Sequence, residues 1–410
     1  MNVATPSLRF KTYSKPWEVQ ALGNLGSFLG GGTPSTENRV YWSGDIPWVS
    51  SSDIKEGDFF GINLHRFISE DAIKNSATKK VPENSLLIVS RVGVGKFAVC
   101  RHEVCTSQDF TSFTPENCSI DFIAYQLYKN KNRLINLGQG TTIKGFTTGD
   151  LASFKLHIPE KGEQQKIADF LTSVDTKISQ LTEKHRLLKD YKKGVMQQIF
   201  SQKIHFKDDD GNAFPEWNTH ELAMLSESGI SNGVFNDPKK VGKGFRLINV
   251  KDMYKGDSIE YSELTLLDLE PKLFEKNKVK YGDIFFTRSS IVPTGIAFSN
   301  VNLSEKEDIT FDGHLMKISP NKKLVDPLFL AYYLRSYTPR KTLVSRGKQS
   351  TMTTIAQDDI KDIKLNIPAL KEQQKIAQFL QSIDKKTSAV NEQIEQTKLF
   401  KKGLLQQMFV

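Results

Sequence analysis

The sequence contains one stretch twice, as IPEKGEQQKIADFLTSVD at residues 158–175 and as IPALKEQQKIAQFLQSID at residues 367–384. The match resumes without a gap further along, where YKKGVMQQIF at residues 191–200 corresponds to FKKGLLQQMF at residues 400–409. In both places residue n of the first copy corresponds to residue n + 209 of the second. A constant offset over two separate blocks indicates an internal duplication, which constrains the fold before any single motif is considered.

Between these blocks the apolar residues follow a helical period. They recur at alternating spacings of four and three residues, which is the a/d pattern of a coiled coil. Each pattern runs for about 35 to 40 residues, or about 55 Å at 1.5 Å per residue. Polar residues interrupt both seams, so we expect the two helices to bury their seams against each other. The seam positions are Ile167, Leu171, Val174, Ile178, Leu181, His185, Leu188, Lys192, Val195 and Ile199 in the first copy and Ile376, Leu380, Ile383, Thr387, Val390, Ile394, Thr397, Lys401, Leu404 and Met408 in the second.

The segments that precede the two helices also correspond, though more loosely. The runs LLIV and IFF are typical of short buried strands. One helix is predicted in each half, the second with Asp326 as its N-cap and Pro327 at its first position. Each half is therefore predicted to be an α+β domain. The corresponding pairs are WEVQAL (17–22) with WNTHEL (217–222), IPWVSSSDIKEG (46–57) with FRLINVKDMYKG (245–256), NSLLIVSR (84–91) with GDIFFTR (282–288), and DFIAYQLY (121–128) with PLFLAYYLRSY (327–337).

The repeat closes on itself when it is read cyclically, because residues 204–207 (IHFK) resemble residues 8–11 (LRFK). This predicts antiparallel helices, a pseudo-two-fold axis between the domains, and chain termini that lie close together beside residues 200–210. The predicted fold class is α+β, with two similar α/β domains separated by two long antiparallel, coiled-coil-like helices. The predicted bounds are 1–158 for the first domain, 159–203 for the central helix, 204–367 for the second domain and 368–410 for the C-terminal helix.

Length and composition narrow the class of protein. A chain of 410 residues is long enough for two domains plus spacers. No apolar run spans a bilayer and the first residues lack a secretory signal, so we expect a cytoplasmic protein. Cys100, Cys105 and Cys118 have neither CxxC spacing nor a nearby histidine pair, which predicts reduced structural thiols rather than a zinc site or disulfides. The net charge of +9 is compatible with a polyanionic partner.

These features resemble the specificity (HsdS) subunit of type I restriction-modification systems over nearly the whole chain. The most specific elements are the paired IPxxxEQQKIAxFL segments, supported by FPEW at residues 214–217 and GTPS at residues 32–35. The resemblance implies two target-recognition domains, each reading one half of a split DNA sequence, and helices that set the gap between the halves. It implies as partners double-stranded DNA, two methyltransferase subunits and two restriction (motor) subunits. It also implies that this chain binds no cofactor, whereas S-adenosylmethionine, ATP and Mg²⁺ belong to the partner subunits.

On this resemblance the chain is expected to be a non-catalytic subunit that binds an asymmetric, bipartite DNA site. It directs its partners to methylate adenine or to restrict unmodified DNA. A pseudo-two-fold protein with unlike halves suits a site of two unlike halves. Two alternatives are a single-chain DNA methyltransferase or nuclease fragment, and a helical scaffold that does not read DNA. Against the first, the sequence has no [DNS]PP[YF] tetrad for a flipped adenine and no clustered carboxylates with lysine for metal-dependent hydrolysis.

Two loops are the best candidates for DNA contact, LGQGTTIKG at residues 137–145 and SRGKQSTM at residues 345–352. Both precede the final strand of their domain, and their glycines and hydroxyl residues suit close approach to phosphate, although a polar surface turn is the alternative. Arg91 and Arg288 are assigned to equivalent strand ends, where an arginine contacts phosphate or guanine, or else a local carboxylate. The candidate DNA-binding residues are Arg91, Lys96, Gln139, Thr141, Thr142, Lys144, Arg288, Arg346, Lys348, Gln349, Ser350 and Thr351.

Other motifs favour structural roles, and neither a catalytic residue nor a metal site is predicted. The GVGK run ending at Lys96 lacks the spacing of a nucleotide-binding P-loop, and DDDGN at residues 208–212 lacks the closing glutamate of a calcium loop. His185 is interpreted as a seam residue. The lysine pairs at 192–193 and 401–402 are expected to solvate the helices, with contact to the DNA backbone or a partner subunit as the alternative.

Overall fold

The computed structural model describes residues 5–137, 145–349 and 352–410. Two compact units divide the chain: unit 1 comprises residues 1–182 and 392–410, and unit 2 comprises residues 183–391. The domain of unit 1 contains the helices α1 (Glu70–Lys74), α2 (Ile120–Lys129), α3 (Lys131–Ile135) and α4 (Thr148–Ala152). Its strands are β1 (Glu18–Ala21), β2 (Gly26–Gly30), β3 (Ile46–Val49), β4 (Phe67–Ile68), β5 (Lys80–Val81), β6 (Ser85–Val89), β7 (Phe97–Cys100), β8 (Val104–Thr106), β9 (Phe110–Pro115) and β10 (Lys155–Ile158).

A long helix, α5 (Lys161–Phe200), leads from the first domain to the second. The domain of unit 2 contains the helices α6 (Pro271–Lys276), α7 (Pro327–Arg335), α8 (Tyr337–Ser345) and α9 (Gln357–Ile360), and the chain closes with α10 (Leu370–Gln407). Its strands are β11 (Asn218–Glu221), β12 (Ser226–Asn232), β13 (Val241–Ile248), β14 (Thr265–Leu267), β15 (Ile284–Thr287), β16 (Ser289–Ser290), β17 (Ser299–Val301), β18 (Ile309–Phe311), β19 (Leu315–Pro320), β20 (Lys348–Gln349), β21 (Thr353–Thr354) and β22 (Lys364–Ile367).

The two domains share the topology of their main sheet. Each contains an antiparallel four-stranded sheet, in the order β2-β9-β6-β7 in unit 1 and β12-β19-β15-β17 in unit 2. A second sheet is built in each around a parallel pair, β3 with β8 and β13 with β18. The first and last strands of each domain pair with each other, so that Glu18 lies opposite Ile158 and Asn218 opposite Ile367. Each domain therefore begins and ends at one place, and the predicted α+β repeat is confirmed.

The predicted buried strands and helix caps are confirmed as well. All residues of β6 and β15 are buried. Strands covered on both faces become continuous apolar runs, which explains the LLIV and IFF patterns. Helix α7 begins at Pro327, and the side chain of Asp326 accepts a hydrogen bond from the backbone N–H of Phe329 at 2.8 Å. This N-cap satisfies one of the free amides of the first turn.

The helix seams lie where the heptad pattern predicts them. Every predicted seam position of α5 and α10 is buried or half-buried. Each unit contains the beginning of one long helix and the end of the other, which is the pairing that antiparallel helices give. The seam residues in the core of unit 1 are Ile167, Leu171, Val174, Leu404 and Met408, and those in the core of unit 2 are Val195, Ile199, Ile376, Leu380 and Ile383.

The expectation that Lys192 solvates its helix is wrong. Its side chain is only 17% exposed, and its ammonium group pairs with Asp384 and, at 2.8 Å, with Asp257. The hydroxyl of Tyr332 on α7 donates to the other oxygen of Asp384 at 2.5 Å. We call Lys192, Asp384 and Tyr332 the unit 2 cluster. It ties the domain to both long helices, because α5, α10 and α7 each supply one member.

The equivalent lysine of unit 1, Lys401, is also held inside the protein rather than in solvent. Its ammonium group lies 2.5 Å from Asp175, to which the hydroxyl of Tyr125 donates at 2.7 Å. Lys401, Asp175 and Tyr125 form the unit 1 cluster. Their positions in the sequence repeat those of the unit 2 cluster, so the duplication preserved an ion pair that the apolar pattern does not reveal. The second lysine of each pair, Lys193 or Lys402, is exposed as expected.

The two chain termini meet within unit 1. The backbone N–H of Leu8 donates to the carbonyl of Gln407 at 2.9 Å, which confirms that the termini lie close together. Residues 200–210 belong to unit 2, whereas both ends of the chain belong to unit 1. The expected position of residues 200–210 beside the termini therefore stays a prediction.

The three cysteines are free and buried, and burial raises the pKa of Cys105 to about 11 and that of Cys118 to about 12. Such thiols are unreactive and structural, as expected.

The glutamate in the first turn of each long helix has different hydrogen-bond partners in the two units. Glu163 is fully buried and accepts two hydrogen bonds from the guanidinium of Arg9, both at 2.7 Å. Glu372 is 3% exposed, and one of its carboxylate oxygens has no hydrogen-bond partner. Burial raises the pKa of Glu372, while a hydrogen bond from Trp217 and the charge of His205 oppose that rise. Glu163 thus forms an ion pair, whereas the buried carboxylate of Glu372 has one oxygen without a hydrogen bond.

Glu163→Gln and Glu372→Gln are expected to change stability in opposite directions. Glu163→Gln leaves the Arg9 guanidinium without its carboxylate and should cost unit 1 about 3 kcal/mol. Because the pKa of Glu372 is raised in the folded protein, its protonated side chain contributes fully to stability below the pKa of the unfolded chain. That contribution is lost as the pH rises through the pKa of the folded state. Glu372→Gln should therefore stabilise unit 2 at pH 7 and change little near pH 4. Urea unfolding at both pH values measures this, and equal losses for the two variants would contradict it.

Candidate nucleic-acid interface

In unit 2 the predicted reading elements meet in one small sheet. It has three strands in the order β16-β21-β20. Ser290 of β16 lies opposite Thr353 of β21, which also lies opposite Gln349 of β20. Arg288 immediately precedes β16, and its carbonyl accepts a hydrogen bond from the backbone N–H of Ile355 at 3.0 Å. The fold thus brings the end of the central strand β15 beside the loop at residues 345–352, about 60 residues further along the chain.

Unit 1 has the same junction at the end of its own central strand, β6. The backbone N–H of Phe146 donates to the carbonyl of Ser90 at 3.0 Å, so the chain at Phe146 lies beside this strand end. The candidate side chains Gln139, Thr141, Thr142 and Lys144 lie outside the described residues, as do Ser350 and Thr351 in the other loop.

The assumed equivalence of Arg91 and Arg288 is wrong by one residue. In unit 2 the N–H of Arg288 donates to His314 and its carbonyl accepts from Ile355. In unit 1 these two bonds belong to Ser90, which donates to Asp109 and accepts from Phe146. Ser90 is therefore the counterpart of Arg288. Neighbouring residues of a strand point to opposite sides, so this shift turns the two arginines in different directions.

The surroundings of the two arginines reflect that shift. Arg91 is exposed and makes no ion pair within the part of the chain that the structure describes. Arg288 is half-buried, and its Nη1 donates to the carbonyl of Gly313 at 3.0 Å, whereas its buried Nε has no partner. Arg288 thus bonds to a backbone carbonyl rather than to a carboxylate. Among the described residues no acceptor occupies the five donors of Arg91, whereas Arg288 already uses one of its donors. Lys96 is half-exposed in the hairpin that follows Arg91.

The cations of the second loop are paired with carboxylates that the sequence analysis did not consider. Arg346 Nη1 lies 2.7 Å from Asp362, and Lys348 Nζ lies 2.8 Å from Asp359. The hydrogen bond from Lys348 is the main cause of the lowered pKa of Asp359. Lys348 remains 72% exposed, so its ion pair is open to solvent and weak. A phosphate or base that binds here has to compete with Asp359 and Asp362. Gln349 is exposed on the edge strand β20.

The structure adds candidates that sequence reasoning missed. Ile291 is 85% exposed in the turn that follows β16, and Val292 beside it is 58% exposed. Exposed apolar side chains at a reading surface suit contact with a thymine methyl group. In unit 1, Gln108 is exposed, hydrogen-bonds to Thr33 of the GTPS element, and precedes Asp109, which accepts from Ser90. The GTPS element was the available signal, but the sequence does not show that it lies beside the end of β6.

Motifs interpreted as structural have structural roles. The GVGK run forms the hairpin between β6 and β7, where Gly93 and Gly95 adopt φ values of +90° and +89° that favour glycine. A P-loop leads from a strand into a helix, whereas this turn leads into another strand. Asp208 accepts hydrogen bonds from the backbone of Asp210 and Asn212, which makes DDDGN a surface turn. No group of three or more metal-ligating side chains is found among residues 5–137, 145–349 and 352–410.

Helix length and hydropathy bear on a membrane location. Among the helices that the structure describes, none has both the length and the apolar character needed to cross a bilayer.

Comparison with known proteins identifies the repeat. Residues 14–189 and again 216–397 match the sequence model of the family described as type I restriction modification DNA specificity domain. The chain is 26% identical to the type I restriction enzyme MjaIX specificity subunit of Methanocaldococcus jannaschii, covering 95% of this chain and 92% of that protein. It shares a fold with the S subunit of a type I restriction-modification system from M. genitalium, with a TM-score of 0.60, 14% identity and 99% of both chains covered. It is also similar in fold, with a TM-score of 0.54, 17% identity and 95% of both chains covered, to a chain from a study of complex assembly and conformational transition in a type I R-M system.

Proposed function

Because this chain belongs to the type I restriction modification DNA specificity domain family, we propose that it is the DNA specificity subunit of a type I restriction-modification complex. It binds an asymmetric, bipartite DNA site and reads one half with each domain. By doing so it directs partner subunits to methylate adenine or to restrict unmodified DNA. The observation that carries this proposal is a duplicated sheet topology whose reading loops differ between the copies.

Shared topology with unlike loops has a direct consequence for recognition. The main four-stranded sheet is repeated in the two domains, but LGQGTTIKG in the first loop and SRGKQSTM in the second present different side chains. Base edges are distinguished by the donors and acceptors that meet them, so different loops read different sequences. The site therefore has two unlike halves. The proposed recognition domains are residues 1–158 and 204–367, with the helices of residues 159–203 and 368–410 as spacers.

The partner subunits carry the chemistry. We assign two methyltransferase subunits and two restriction (motor) subunits to the assembled complex. S-adenosylmethionine, ATP and Mg²⁺ are used by those partners, and this chain contributes no catalytic group. The absence from the sequence of a flipped-adenine tetrad supports that division of labour. The chain's own task is to position the partners on DNA through recognition alone.

The proposal is tested by giving the full chain a random DNA library, with and without a methyltransferase subunit of a type I system. Together they should select and methylate one motif made of two fixed halves and an unspecified gap. Methylation by this chain alone would identify it as an enzyme. Assembly with the methyltransferase but without any sequence preference would identify it as a scaffold. Either result contradicts the proposed function.

A further inference from the structure

A cavity of about 1000 Å³ opens in unit 2 between the second half of α5 and the helices α7 and α8. We call it the unit 2 cleft. Six of its lining residues are cations and one is an acid, Asp257. Walls of one charge sign around a concave site concentrate counter-ions, so the cleft favours an anionic ligand. The cations are Lys189, Lys192, Lys193, Arg335, Arg340 and Lys341.

Three of the six cations already have partners inside the protein. Lys192 belongs to the unit 2 cluster, and Arg335 donates to the carbonyl of Asp257 at 2.6 Å. Arg340 Nη2 donates to the carbonyl of Thr294, while its buried Nη1 has no hydrogen-bond partner. These groups form the floor of the cleft, with one donor left unsatisfied.

The other three cations, Lys189, Lys193 and Lys341, are exposed at the rim. No carboxylate in the described part of the chain forms an ion pair with any of them. Half of the six cations of the cleft therefore face solvent without a carboxylate partner among the described residues.

Unit 1 provides an internal comparison, because the same place there is filled. The ammonium group of Lys401 lies over the rings of Phe59, Tyr125 and Tyr128, at 5.1, 5.5 and 5.6 Å from their centres. The cavity beside Phe59 and Tyr128 measures only about 10 Å³. In unit 2 the corresponding positions are Ser258 for Phe59 and Arg335 for Tyr128, so two ring-bearing side chains are replaced by a hydroxyl and a guanidinium.

The rim charges of unit 2 are only partly repeated in unit 1, where Lys402 is the exposed counterpart of Lys193. Lys398, the counterpart of Lys189, forms an ion pair with Glu395 at 2.8 Å. The buried Leu134 of α3 corresponds to the buried Leu343 of α8, so the uncharged Asn132 takes the place of Lys341. The rings around Lys401 and the ion pair of Lys398 therefore distinguish this part of unit 1 from the open, basic cleft of unit 2.

We propose that the unit 2 cleft binds the sugar–phosphate backbone of the DNA that unit 2 reads, an inference that rests on the proposed function. The cleft adjoins the segment that follows β16 in the small sheet of the candidate interface. Thr294, which bonds to Arg340 on the floor, lies in the same segment as Ile291, directly after β16. Lysine ammonium groups contact phosphates as point charges without reading sequence, which suits three free lysines at a rim. The cleft thus fixes the DNA beside the loop that specifies it.

The test uses the full chain assembled with a methyltransferase subunit and compares it with the variant Lys189→Ala/Lys193→Ala/Lys341→Ala. Affinity for the cognate motif and for a scrambled duplex is measured between 50 and 200 mM salt. Each lost phosphate contact should lower the slope of log affinity against log salt by about 0.9, so the triple variant should lose about 2 to 3. The loss of affinity should be similar on both duplexes, because phosphate contacts carry no sequence information. The matched control, Lys398→Ala/Lys402→Ala, should change the slope by less than about 1.

Two results would overturn this inference. The first is an unchanged salt slope in the triple variant while the unaltered complex still selects its motif; the proposed function then survives and the inference fails. The second is an unchanged slope with weakened assembly of the methyltransferase subunit, which would assign the cleft to an acidic protein surface. If the unaltered complex selects no motif, it is the proposed function that fails.

Discussion

Exchanging residues 18–158 for the corresponding segment of another specificity subunit is expected to replace one half of the methylated motif and to leave the other half unchanged. The exchange is feasible because the first domain begins and ends at one place, where β1 and β10 pair over four residues from Glu18↔Ile158 to Ala21↔Lys155. The long helices α5 and α10 lie outside the exchanged segment. A recognition domain that carries its own sheet and its own loops should carry its own half-site with it.

The donor segment has to keep its contacts with the long helices, which include the hydrogen bond from Tyr125 to Asp175. Phe122 of the first domain packs against Phe409 at the end of α10, with ring centres 5.5 Å apart. A donor with an aromatic residue at the position of Phe122 keeps this contact. The reciprocal exchange of residues 218–367, bounded in the same way by β11 and β22, serves as the matched control and should replace the other half. Methylation sequencing of a host that carries each chimera gives the motif directly. A change in both halves after a single exchange would refute independent reading.

Asp384→Ala is expected to destabilise unit 2 by about 3 kcal/mol, because it breaks a largely buried ion pair. The substitution leaves Lys192, 17% exposed, with Asp257 as its remaining partner. It also removes the acceptor of the Tyr332 hydroxyl, which burial keeps protonated by raising its pKa. An ammonium group with a single, partly exposed carboxylate partner and a hydroxyl without its acceptor are then enclosed where α5, α10 and α7 meet.

Asp175→Ala in unit 1 is the matched control and should cost less, about 1 to 2 kcal/mol. Asp175 is 22% exposed, and Lys401 retains the rings of Phe59, Tyr125 and Tyr128 after the substitution. Hydrogen exchange of α7 and α2 peptides reports the two units separately within one molecule, so each variant should loosen only its own unit. A second variant, Asp384→Asn, keeps an acceptor for Tyr332 and isolates the effect of the charge. Equal loosening of α2 and α7 by either substitution would contradict the assignment.

The loops and strand ends of the candidate site could be predicted from the sequence, but the contacts between their side chains could not. The loops at residues 137–145 and 345–352 were chosen for their glycine and hydroxyl content, and the described ends of both return beside the central strand of their domain. The ion pairs of Arg346 with Asp362 and Lys348 with Asp359 were not foreseen, since nothing in the sequence indicates which acid faces which base. The equivalence of Arg91 and Arg288 failed because a strand register depends on partners far away in sequence.

The duplication, the α+β class of each half, the two long helices and their seams could all be predicted from the sequence alone. These features follow from periodicity, which is local and occurs twice in this chain, so each copy checks the other. The three-dimensional structure was needed to show that Lys192 and Lys401 are largely buried partners of Asp384 and Asp175, and that a wide cleft opens beside α5 in unit 2 while aromatic rings surround Lys401 in unit 1. The reason is physical: an ion pair or a cavity depends on the distance between side chains from separate elements, and the pattern along one element does not contain that distance.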